Sequence, residues 1–395
     1  MMSLEEVRQK LHAGEDSYTE FKERLDNSES VAGEIVAFAN TDGGRLFVGV
    51  TDSGAVIGVA DPPRVERQLA QICRENILPP LIPLIETVTI DGQIILELEV
   101  RGVHKPYRTK GGRYYVRVGS TKQDASPQEL LRLAQRAGAY RYDEAPVPGT
   151  SEADLDWTLF ARYYRAVTGE DVTTSELSAI ETLRGAFILT EYGGKLCLTV
   201  AALLCFGKNP QRYLYQSRLS ALRFVGDDVS ETMADTQELL GPLPQLIDGA
   251  VSFALRNAAT KAVIAGTREI ETPQYPQAAL RELIVNAVAH RDYSLEGAQI
   301  RLIMFDHRLE LYSPGRLPNG MTLAHLRYYN HVARNPLIVQ YLSRLGYMRD
   351  FGTGIPRVIR LMGEHNGTAP DFTLIGEEFV ARLHSPAQET ATSTK

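Results

Sequence analysis

The feature that most constrains the fold is a pair of β-rich segments joined by Asp91-Gly92. Residues 86–90 and 93–100 are rich in Thr, Val, Ile and Leu, and a two-residue Asp-Gly connection is typical of a type I′ hairpin. This part of the chain is therefore predicted to form an antiparallel sheet. A second hairpin is predicted for residues 107–119, with its turn at Gly111-Gly112.

Helical patterns stand on both sides of these hairpins. Apolar residues recur at helical spacing in residues 3–12 and 31–38, and a third helix is predicted from Ser126-Pro127 to Gly138. The run RLFVGV, residues 45–50, predicts a buried strand. The first 140 residues are therefore predicted to form an α+β domain.

The remaining chain divides by composition. Residues 141–153 are rich in proline and acids and predict a linker. A mixed α/β connecting domain is expected over residues 154–274, a further α/β domain over 275–384, and a disordered polar tail over 385–395. A length of 395 residues agrees with two or three domains.

Composition excludes several classes of protein. The sequence contains no run of about 18 apolar residues, so no membrane span is predicted. The charged N-terminus lacks the apolar core of a signal peptide. The three cysteines, Cys73, Cys197 and Cys205, are too scattered for a disulfide framework. We therefore expect a cytoplasmic protein.

Seven basic residues with tyrosines among them lie between Arg101 and Lys122, with no acid between Glu99 and Asp124, although the net charge of the chain is −7. Such a segment predicts a nucleic-acid-binding surface. A solvated hairpin with amphipathic tyrosines would show the same pattern, and the segment alone does not separate the two. The candidate contact residues are Lys105, Tyr107, Arg108, Lys110, Arg113, Tyr114, Arg117 and Lys122.

A set of acids suggests metal chemistry in the same domain. If residues 18–22 are extended, Glu20 and Lys22 lie on one face. Glu15 arrives from the preceding turn, and Asp52 follows the next predicted strand. Converging carboxylates can bind Mg²⁺ or Mn²⁺, which activates water for phosphodiester cleavage, and a lysine supports the developing charge. A surface ion pair is the simpler interpretation of the Glu-x-Lys pair alone.

Four segments give this domain a family resemblance: EDSYTEFKERL, AFANTDGG, GVTDSG and YYVRVGS. In this order, over residues 10 to about 135, they resemble the AlbA-type domain of the Schlafen family. In ribonucleases of that family an acidic triad cuts structured RNA with a divalent metal, and Glu15, Glu20 and Asp52 match it, with Lys22 as the associated lysine. Many bacterial proteins with the domain are described as DNA-binding regulators. The zinc site of the animal enzymes has no counterpart, because this segment has just one cysteine, Cys73.

A second constellation lies in the segment RELIVNAVAHRDY. Glu282 and Asn286 are four residues apart on a predicted helix and therefore share a face. An asparagine there can bind the Mg²⁺ of a triphosphate, and the glutamate can orient water; an exposed polar face is the alternative. Further along, the backbone N–H groups of Gly352, Thr353 and Gly354 precede a helix and can meet a phosphate.

Residues 278–382 resemble the divergent ATP-binding domain of the gyrase, histidine-kinase and MutL (GHKL) superfamily, an α/β sandwich. RELIVNAVAHRDY, LELYSPGRLPNG, RNPLIVQYLSRLGYMRDFGTGI and APDF occur in the expected order. By this resemblance Glu282 and the metal-ligating Asn286 belong to an ATP site with Gly352 and Gly354. Gly315 falls in the loop that contacts adenine, but Ser313 stands where the superfamily has an aspartate. ATP binding is therefore expected, and hydrolysis is left open.

Together these patterns predict a nucleic-acid-binding protein, such as a transcriptional regulator, with a C-terminal ATP-binding module. Two alternatives stay open. The first is an endonuclease for RNA or single-stranded DNA that uses Mg²⁺ or Mn²⁺ at Glu15, Glu20 and Asp52. The second is an ATP-driven switch for another protein. A homodimer is expected, because one basic stripe is a modest footprint.

Overall fold

The computed structural model describes residues 2–258, 260–265, 268–318, 321–328, 332–348 and 353–385. The chain separates into two compact units, Met1–Tyr140 and Arg141–Lys395. Gly352 of the predicted ATP site lies outside the described residues, as does the predicted tail after Ser385.

The first unit contains a four-stranded sheet with strand order β1-β2-β5-β4. Strands β1 and β2 are parallel, and the other neighbours are antiparallel. The elements of the unit are α1 (Leu4–Ala13), β1 (Thr19–Lys22), α2 (Ser28–Asn40), β2 (Gly44–Val48), α3 (Pro62–Glu75), β3 (Ile77–Leu78), β4 (Leu84–Ile90), β5 (Gln93–Val100), β6 (Arg108–Thr109), β7 (Tyr115–Val118), β8 (Thr121–Asp124) and α4 (Pro127–Arg136).

The hairpin of β4 and β5 is present as predicted. Asp91 and Gly92 have φ values of 51° and 80°, and a type I′ turn requires positive φ at both central positions. The predicted helices are also present as α1, α2 and α4. Ser3 and Ser126 begin α1 and α4 with capping boxes, which satisfy backbone N–H groups that the first turn leaves free.

The second predicted hairpin is wrong. Gly111 and Gly112 do form a turn, closed by a 2.8 Å hydrogen bond from the N–H of Thr109 to the carbonyl of Arg113. The strands on its two sides nevertheless pair elsewhere, β6 with β3 and β7 with β8. The actual hairpin turns at Gly119, whose φ is 61°. The pairing of β6 with β3 is a contact between distant residues, and a local turn pattern carries no information about it.

Helix α2 is the centre of the first unit. Its apolar residues are buried against the sheet, and it also contacts β6, β7 and β8. Gly33 allows the close approach, because a Cβ there would lie 3.3 Å from the ring of Tyr115. At the end of the helix, Asn40 donates from Nδ2 to the carbonyls of Tyr107 (2.8 Å) and Tyr115 (2.9 Å). The helix thereby holds the basic segment in place.

The second unit is built on a six-stranded sheet with strand order β12-β11-β15-β16-β18-β17. Strands β11 and β15 are parallel, and the other neighbouring strands are antiparallel. The elements are α5 (Trp157–Thr168), α6 (Ala179–Gly185), β9 (Leu189–Tyr192), β10 (Lys195–Leu198), α7 (Val200–Phe206), β11 (Leu219–Phe224), β12 (Met233–Leu239), α8 (Leu243–Asn257), β13 (Thr260–Ala265), β14 (Arg268–Pro273), α9 (Gln277–His290), β15 (Ile300–Met304), β16 (Arg308–Pro314), α10 (Pro336–Arg344), α11 (Gly354–Asn366), β17 (Asp371–Ile375) and β18 (Glu378–His384).

This sheet corrects the predicted division of the second half. Strands β11 and β12 come from the predicted connecting domain, yet β11 pairs with β15, placing Leu219 beside Ile300. Helices α8 and α9 also contact each other. Residues 154–274 and 275–384 therefore share one compact unit, and the α/β sandwich uses strands from both.

The predicted linker is also part of this unit. The N–H of Val147 donates to the carbonyl of Leu198 at 2.9 Å, and the side chain of Asp143 is fully buried. Its proline and acid content suggested a linker, but Asp143 accepts hydrogen bonds from the N–H groups of Leu337 and Ile338 in the first turn of α10. Across the described residues, the structure contains no helix with the length and apolar character that crossing a membrane requires.

Candidate functional sites

The first candidate site surrounds strand β1. The Nζ atom of Lys22 lies 2.5 Å from Oε1 of Glu20, so the two side chains share one face of the strand, as predicted. Glu15 lies in the preceding turn and accepts a 2.9 Å hydrogen bond from the N–H of Phe21. Asp52 is exposed and lies in a turn four residues after the end of β2.

The predicted acids influence one another. Burial raises the pKa of Glu15, the bond from Phe21 opposes this, and the charges of Glu20 and Asp52 raise it further. For Lys22, burial acts to lower the pKa, but the hydrogen bond to Glu20 and nearby carboxylates outweigh it and raise the pKa. Within the described part of the chain, however, no group of three acids, histidines or cysteines is arranged to hold a metal ion.

Arg117 explains why Glu20 is not free to bind a metal ion. Its side chain is 1% exposed, and its Nη1 atom lies 2.8 Å from Oε2 of Glu20 and 3.1 Å from Oε2 of Glu34. Nη2 donates to the carbonyl of Asp16 at 2.8 Å. Both carboxylate oxygens of Glu20 therefore contact cations, one from Arg117 and one from Lys22. A divalent cation needs several free oxygens, so these residues do not fit it in this arrangement.

The burial of Arg117 and Tyr107 corrects two predicted nucleic-acid contacts. Tyr107 is 2% exposed, packs in the core of the first unit, and exchanges backbone hydrogen bonds with the side chain of Asn40. Its ring is not available for stacking on a base. Both terminal nitrogens of Arg117 contact acids or carbonyls within the unit. A buried side chain cannot reach a ligand without a rearrangement. The internal contacts of both residues instead hold the basic segment in place.

Two predicted lysine contacts are partly internal. Lys105 donates from Nζ to the carbonyl of Thr41. Lys122 lies 2.9 Å from Oε1 of Glu34 and also donates to the carbonyl of Ser30 at 3.1 Å. Each lysine is half-buried, and its ammonium group already has partners within the first unit.

The remaining predicted contacts face solvent to different degrees. Arg113 is exposed and forms an ion pair with Asp124 at 2.6 Å, and Tyr114 is half-buried. Lys110 is exposed and Arg108 is half-buried; within the described residues, no hydrogen bond or ion pair engages either side chain. Arg74, which the sequence analysis did not select, is exposed in the last turn of α3, two residues before Asn76, whose carbonyl accepts from the N–H of Lys110 at 2.8 Å. No motif marks Arg74; it becomes a candidate because α3 ends directly before β3, which pairs with β6.

The second candidate site is a cleft beside α9 and β16, with an internal volume of about 140 Å³. This volume resembles that of an engineered cavity of about 150 Å³ that binds benzene, so it suits a ring-sized group. Glu282 and Asn286 line one side together with Gly315 and Gly354. Apolar lining comes from Leu283, Ala287, Leu311, Val339, Ile355 and Phe379.

The predicted residues of α9 and α11 come together in this cleft. The Nδ2 atom of Asn286 donates to the carbonyl of Glu282 at 2.7 Å and lies 3.3 Å from its Oε1. A Cβ on Gly354 would lie 2.6 Å from Oε1 of Glu282 and 2.7 Å from Nδ2 of Asn286. Only glycine fits at this position without displacing both polar side chains.

Helix α11 presents its N-terminus at the same place. It begins at Gly354, after Thr353, and the N–H groups of Gly354 and Ile355 belong to the first turn, where no helical carbonyl accepts them. Such N–H groups and the helix dipole attract anions. The predicted contribution of Thr353 and Gly354 to a phosphate site is therefore compatible with their positions.

Gly315 occupies a crowded turn at the end of β16. Its φ is +116°, and a Cβ would lie 2.7 Å from Cβ of Asp292. The carboxylate of Asp292 is itself held by Arg334 at 3.1 Å and by the hydroxyl of Ser294 at 2.6 Å. Ser313 donates its hydroxyl to the carbonyl of Ala287 at 2.8 Å. At the position of Ser313 the loop therefore has no carboxylate that could accept a hydrogen bond from adenine.

One charged residue beside the cleft escaped the sequence analysis. Nη1 of Arg357 lies 3.5 Å from Oε2 of Glu282, which joins α11 to α9 by an ion pair. The signal was present, because Arg357 follows Gly354 by one helical turn and its charge is opposite to that of Glu282. The contact between the two helices was needed to give that spacing a meaning.

Two family models match the chain. Residues 15–126 match the family described as "Schlafen, AlbA_2", and residues 297–383 match the one described as "Putative ATP-dependent DNA helicase recG C-terminal". The chain carries a Schlafen AlbA_2 domain followed by a GHKL-type ATPase-like domain. The resemblances stated from the sequence, and the α+β fold class, are confirmed.

The matched ranges divide the candidate residues. Glu15, Glu20, Asp52 and the basic segment fall inside the AlbA_2 match. Gly315 and Gly354 fall inside the ATPase-like match, whereas Glu282 and Asn286 precede it. The structure nevertheless places these two α9 residues against Gly354, so the cleft extends beyond the matched segment.

Two solved structures resemble parts of the chain. The DIP2311 protein from Corynebacterium diphtheriae is 22% identical, with a TM-score of 0.49, over 94% of this chain and 75% of that one. The N-terminal domain of a protein from Nitrosomonas europaea, described as a "Putative ATP-dependent DNA Helicase RecG-related Protein", is 31% identical, with a TM-score of 0.25. The match covers 32% of this chain and 95% of that domain. A comparison with curated proteins finds no match.

Proposed function

We propose that the protein binds ATP with Mg²⁺ in the cleft between α9 and α11, and binds nucleic acid through its AlbA_2 domain as a regulator. The observation that carries the proposal is the close approach of Gly354 to Glu282 and Asn286. A Cβ at position 354 would lie 2.6 Å from Oε1 of Glu282 and 2.7 Å from Nδ2 of Asn286. This approach brings a glycine-started helix, an acid and an amide to one apolar cleft. These are the groups that a phosphate-bound cation and a ring require.

The amide of Asn286 is oriented for this role. Because Nδ2 donates to the carbonyl of Glu282, the Oδ1 atom is the free end of the amide. An amide oxygen is a suitable ligand for the Mg²⁺ that accompanies a triphosphate. The first turn of α11 then offers N–H groups to the phosphates, and the apolar lining accepts the base.

The adenine end of the site departs from the superfamily pattern. The hydroxyl of Ser313 is bonded to Ala287, and the nearby Asp292 is bonded to Arg334 and Ser294. Ser313 and Asp292 are both buried, and neither offers an unpaired carboxylate to the exocyclic amine of adenine. Selection between adenine and guanine is therefore expected to be weak, because specificity for a base depends on polar groups aimed at its edge.

The AlbA_2 domain supports binding more than cleavage. Both oxygens of Glu20 are paired with cations, whereas Arg108, Lys110 and Arg113 reach solvent. Exposed cations release counterions from a phosphate backbone and supply most of a nonspecific affinity. The proposed contact surface therefore consists of these three residues and Arg74, with Tyr114 at its side.

The nucleotide proposal is tested by calorimetric titration of the full chain with Mg·ATP. Asn286→Ala is expected to lower the affinity at least about tenfold, which is about 1.4 kcal/mol. Gln277→Ala is the matched control, since Gln277 is exposed on the same helix and does not line the cleft. Equal affinities of wild type and Asn286→Ala would refute the assigned site.

Metal-dependent cleavage is the second candidate, because Glu15, Glu20 and Asp52 are near enough for their charges to raise the pKa of Glu15, beside the larger effect of its burial. Labelled tRNA and single-stranded DNA are incubated with the protein in Mn²⁺ or in EDTA, beside Glu20→Ala. Binding of both nucleic acids without cleavage agrees with the proposed role as a regulator. Cutting in Mn²⁺ that EDTA and Glu20→Ala abolish would replace it with the nuclease. A protein that retains neither substrate and binds ATP would instead be the ATP-driven switch.

A further inference from the structure

We propose that the guanidinium of Arg117 takes the position of a divalent cation among the carboxylates of the AlbA_2 domain. Arg117 is then a positioning residue, and the domain binds nucleic acid without a metal. The inference goes beyond the proposed function, because it concerns the metal status of the acidic cluster and assigns a role to a residue that the sequence suggested as a nucleic-acid contact.

The geometry around Arg117 is that of a bridging cation. One nitrogen, Nη1, contacts Oε2 of Glu20 at 2.8 Å and Oε2 of Glu34 at 3.1 Å. Nη2 donates to the carbonyl of Asp16 at 2.8 Å. Two carboxylates and a carbonyl converging on one positive group are an oxygen set that a hard cation would also use. Here an arginine from β7 fills it.

Each carboxylate oxygen of Glu20 and Glu34 already contacts a cation. Glu20 and Glu34 each contact Arg117, and the second oxygen of each carboxylate contacts a lysine, Lys22 for Glu20 and Lys122 for Glu34. A divalent cation would have to displace a guanidinium that is almost wholly buried. That exchange would leave the arginine charge without partners in the interior, which is strongly unfavourable.

The position of Arg117 also has a structural consequence. Its head group lies 4.5 Å from the ring of Phe38 on α2, while its backbone belongs to β7. Lys122 on β8 bonds to Ser30 at the start of the same helix. The β7–β8 hairpin is therefore fixed to α2 by two internal cations. We infer that the loop from Arg108 to Arg113, which leads into β7, is preset by this attachment and not by a metal.

The first test is Mn²⁺ binding by the full chain without nucleotide, measured by electron paramagnetic resonance. Wild type and Glu20→Gln are expected to bind Mn²⁺ equally weakly. Arg117→Met, which removes the charge and keeps much of the volume, is expected to gain a Mn²⁺ site that Arg117→Met/Glu20→Gln lacks. A gain of metal binding is not what loss of a purely structural residue would produce.

Each outcome decides the inference. Mn²⁺ binding by wild type that Glu20→Gln removes would overturn it, and this comparison needs no Arg117 variant to fold. A folded Arg117→Met that gains no site would overturn it as well. In the second test, EDTA is expected to leave the affinity of wild type for single-stranded DNA unchanged. Failure of wild type to bind any nucleic acid would refute the proposed function, while the Mn²⁺ comparison would still decide the role of Arg117.

Discussion

The Oε1 atom of Glu282 lies 2.6 Å from the position that a Cβ on Gly354 would occupy. Helices α9 and α11 therefore meet at a glycine, and any larger residue must push the acid or Asn286 away. Gly354→Ala is expected to weaken Mg·ATP binding at least about tenfold, or about 1.4 kcal/mol, because it displaces two groups of the proposed site at once. Calorimetric titration of the variant measures this.

Gly363 provides the matched control for Gly354. It lies in the same helix, and a Cβ there would meet nothing within 4 Å. Gly363→Ala is expected to leave ATP binding unchanged and to raise the free energy of unfolding by roughly 0.5–1 kcal/mol, since alanine loses less backbone entropy in a helix. Equal losses of ATP affinity in both variants would show that the effect of Gly354→Ala is not local.

The ion pair of Arg357 with Glu282 leads to a second prediction. At 3.5 Å from the carboxylate, Nη1 places a positive charge beside the proposed phosphate site. Arg357→Ala is expected to reduce the affinity for ATP about tenfold and the affinity for AMP much less, because the missing charge interacts with the outer phosphates. Fluorescence competition with both nucleotides measures the ratio.

Arg360 is the control for Arg357. It lies on the same helix, is exposed, and pairs with Glu364 at 2.8 Å, a helical contact of the type that contributes little. Arg360→Ala is expected to change neither affinity. If Arg357→Ala lowers the affinities for ATP and AMP by equal factors, Arg357 supports the cleft as a whole and does not distinguish phosphate number.

Local patterns predicted those parts of the fold that local physics decides. Asp91-Gly92 requires positive φ at both positions, and the observed turn has it. The spacing of Glu282 and Asn286 placed both on one face of α9, where they contact each other. The wrong second hairpin shows the limit, since the partner of β6 lies about 30 residues earlier in β3. No turn pattern encodes that choice.

Burial of charge was the other property that the sequence did not reveal. Arg117 stands in a basic segment and resembles a surface residue, but its side chain is 1% exposed because Glu20 and Glu34 surround it. Asp143 stands in a proline-rich segment and resembles a linker residue, but it is fully buried. Both acquire their surroundings from residues far away in the chain, and composition averages over such contacts.

The basic segment of the AlbA_2 domain yields a third prediction. Arg108→Ala/Lys110→Ala is expected to weaken binding to DNA of any sequence and to reduce the salt dependence by about 0.9 in log–log slope for each lost phosphate contact to duplex DNA. Arg8→Ala is the control, because Arg8 forms an exposed ion pair with Asp91 at 2.6 Å on the β4–β5 hairpin. Fluorescence anisotropy at several salt concentrations gives both slopes. An unchanged slope would move the contact surface elsewhere.

Asp143 leads to the last prediction. Its Oδ2 atom accepts from the N–H groups of Leu337 (2.7 Å) and Ile338 (3.2 Å) at the start of α10, while Oδ1 is buried with no hydrogen-bond partner among the described residues. Burial raises the pKa of Asp143 to about 6, against the lowering effect of the two N–H groups. The folded state thus retains a proton that the unfolded chain has already lost between about pH 4 and pH 6.

The sign of the effect on stability follows from this difference. A raised carboxyl pKa makes Asp143 lower the free energy of unfolding as the pH rises from about 4 to 6, by on the order of 3 kcal/mol, with no further change above that range. Asp143→Asn cannot titrate, so its stability relative to wild type is expected to increase over the same interval. Asp171→Asn is the control and should show no such increase, because hydrogen bonds from Thr173 and Arg165 lower the pKa of Asp171, so that its contribution to stability changes only below about pH 4. Urea unfolding from pH 4 to pH 7 measures both variants against wild type, and a difference between Asp143→Asn and wild type that is constant with pH would show that folding does not raise the pKa of Asp143.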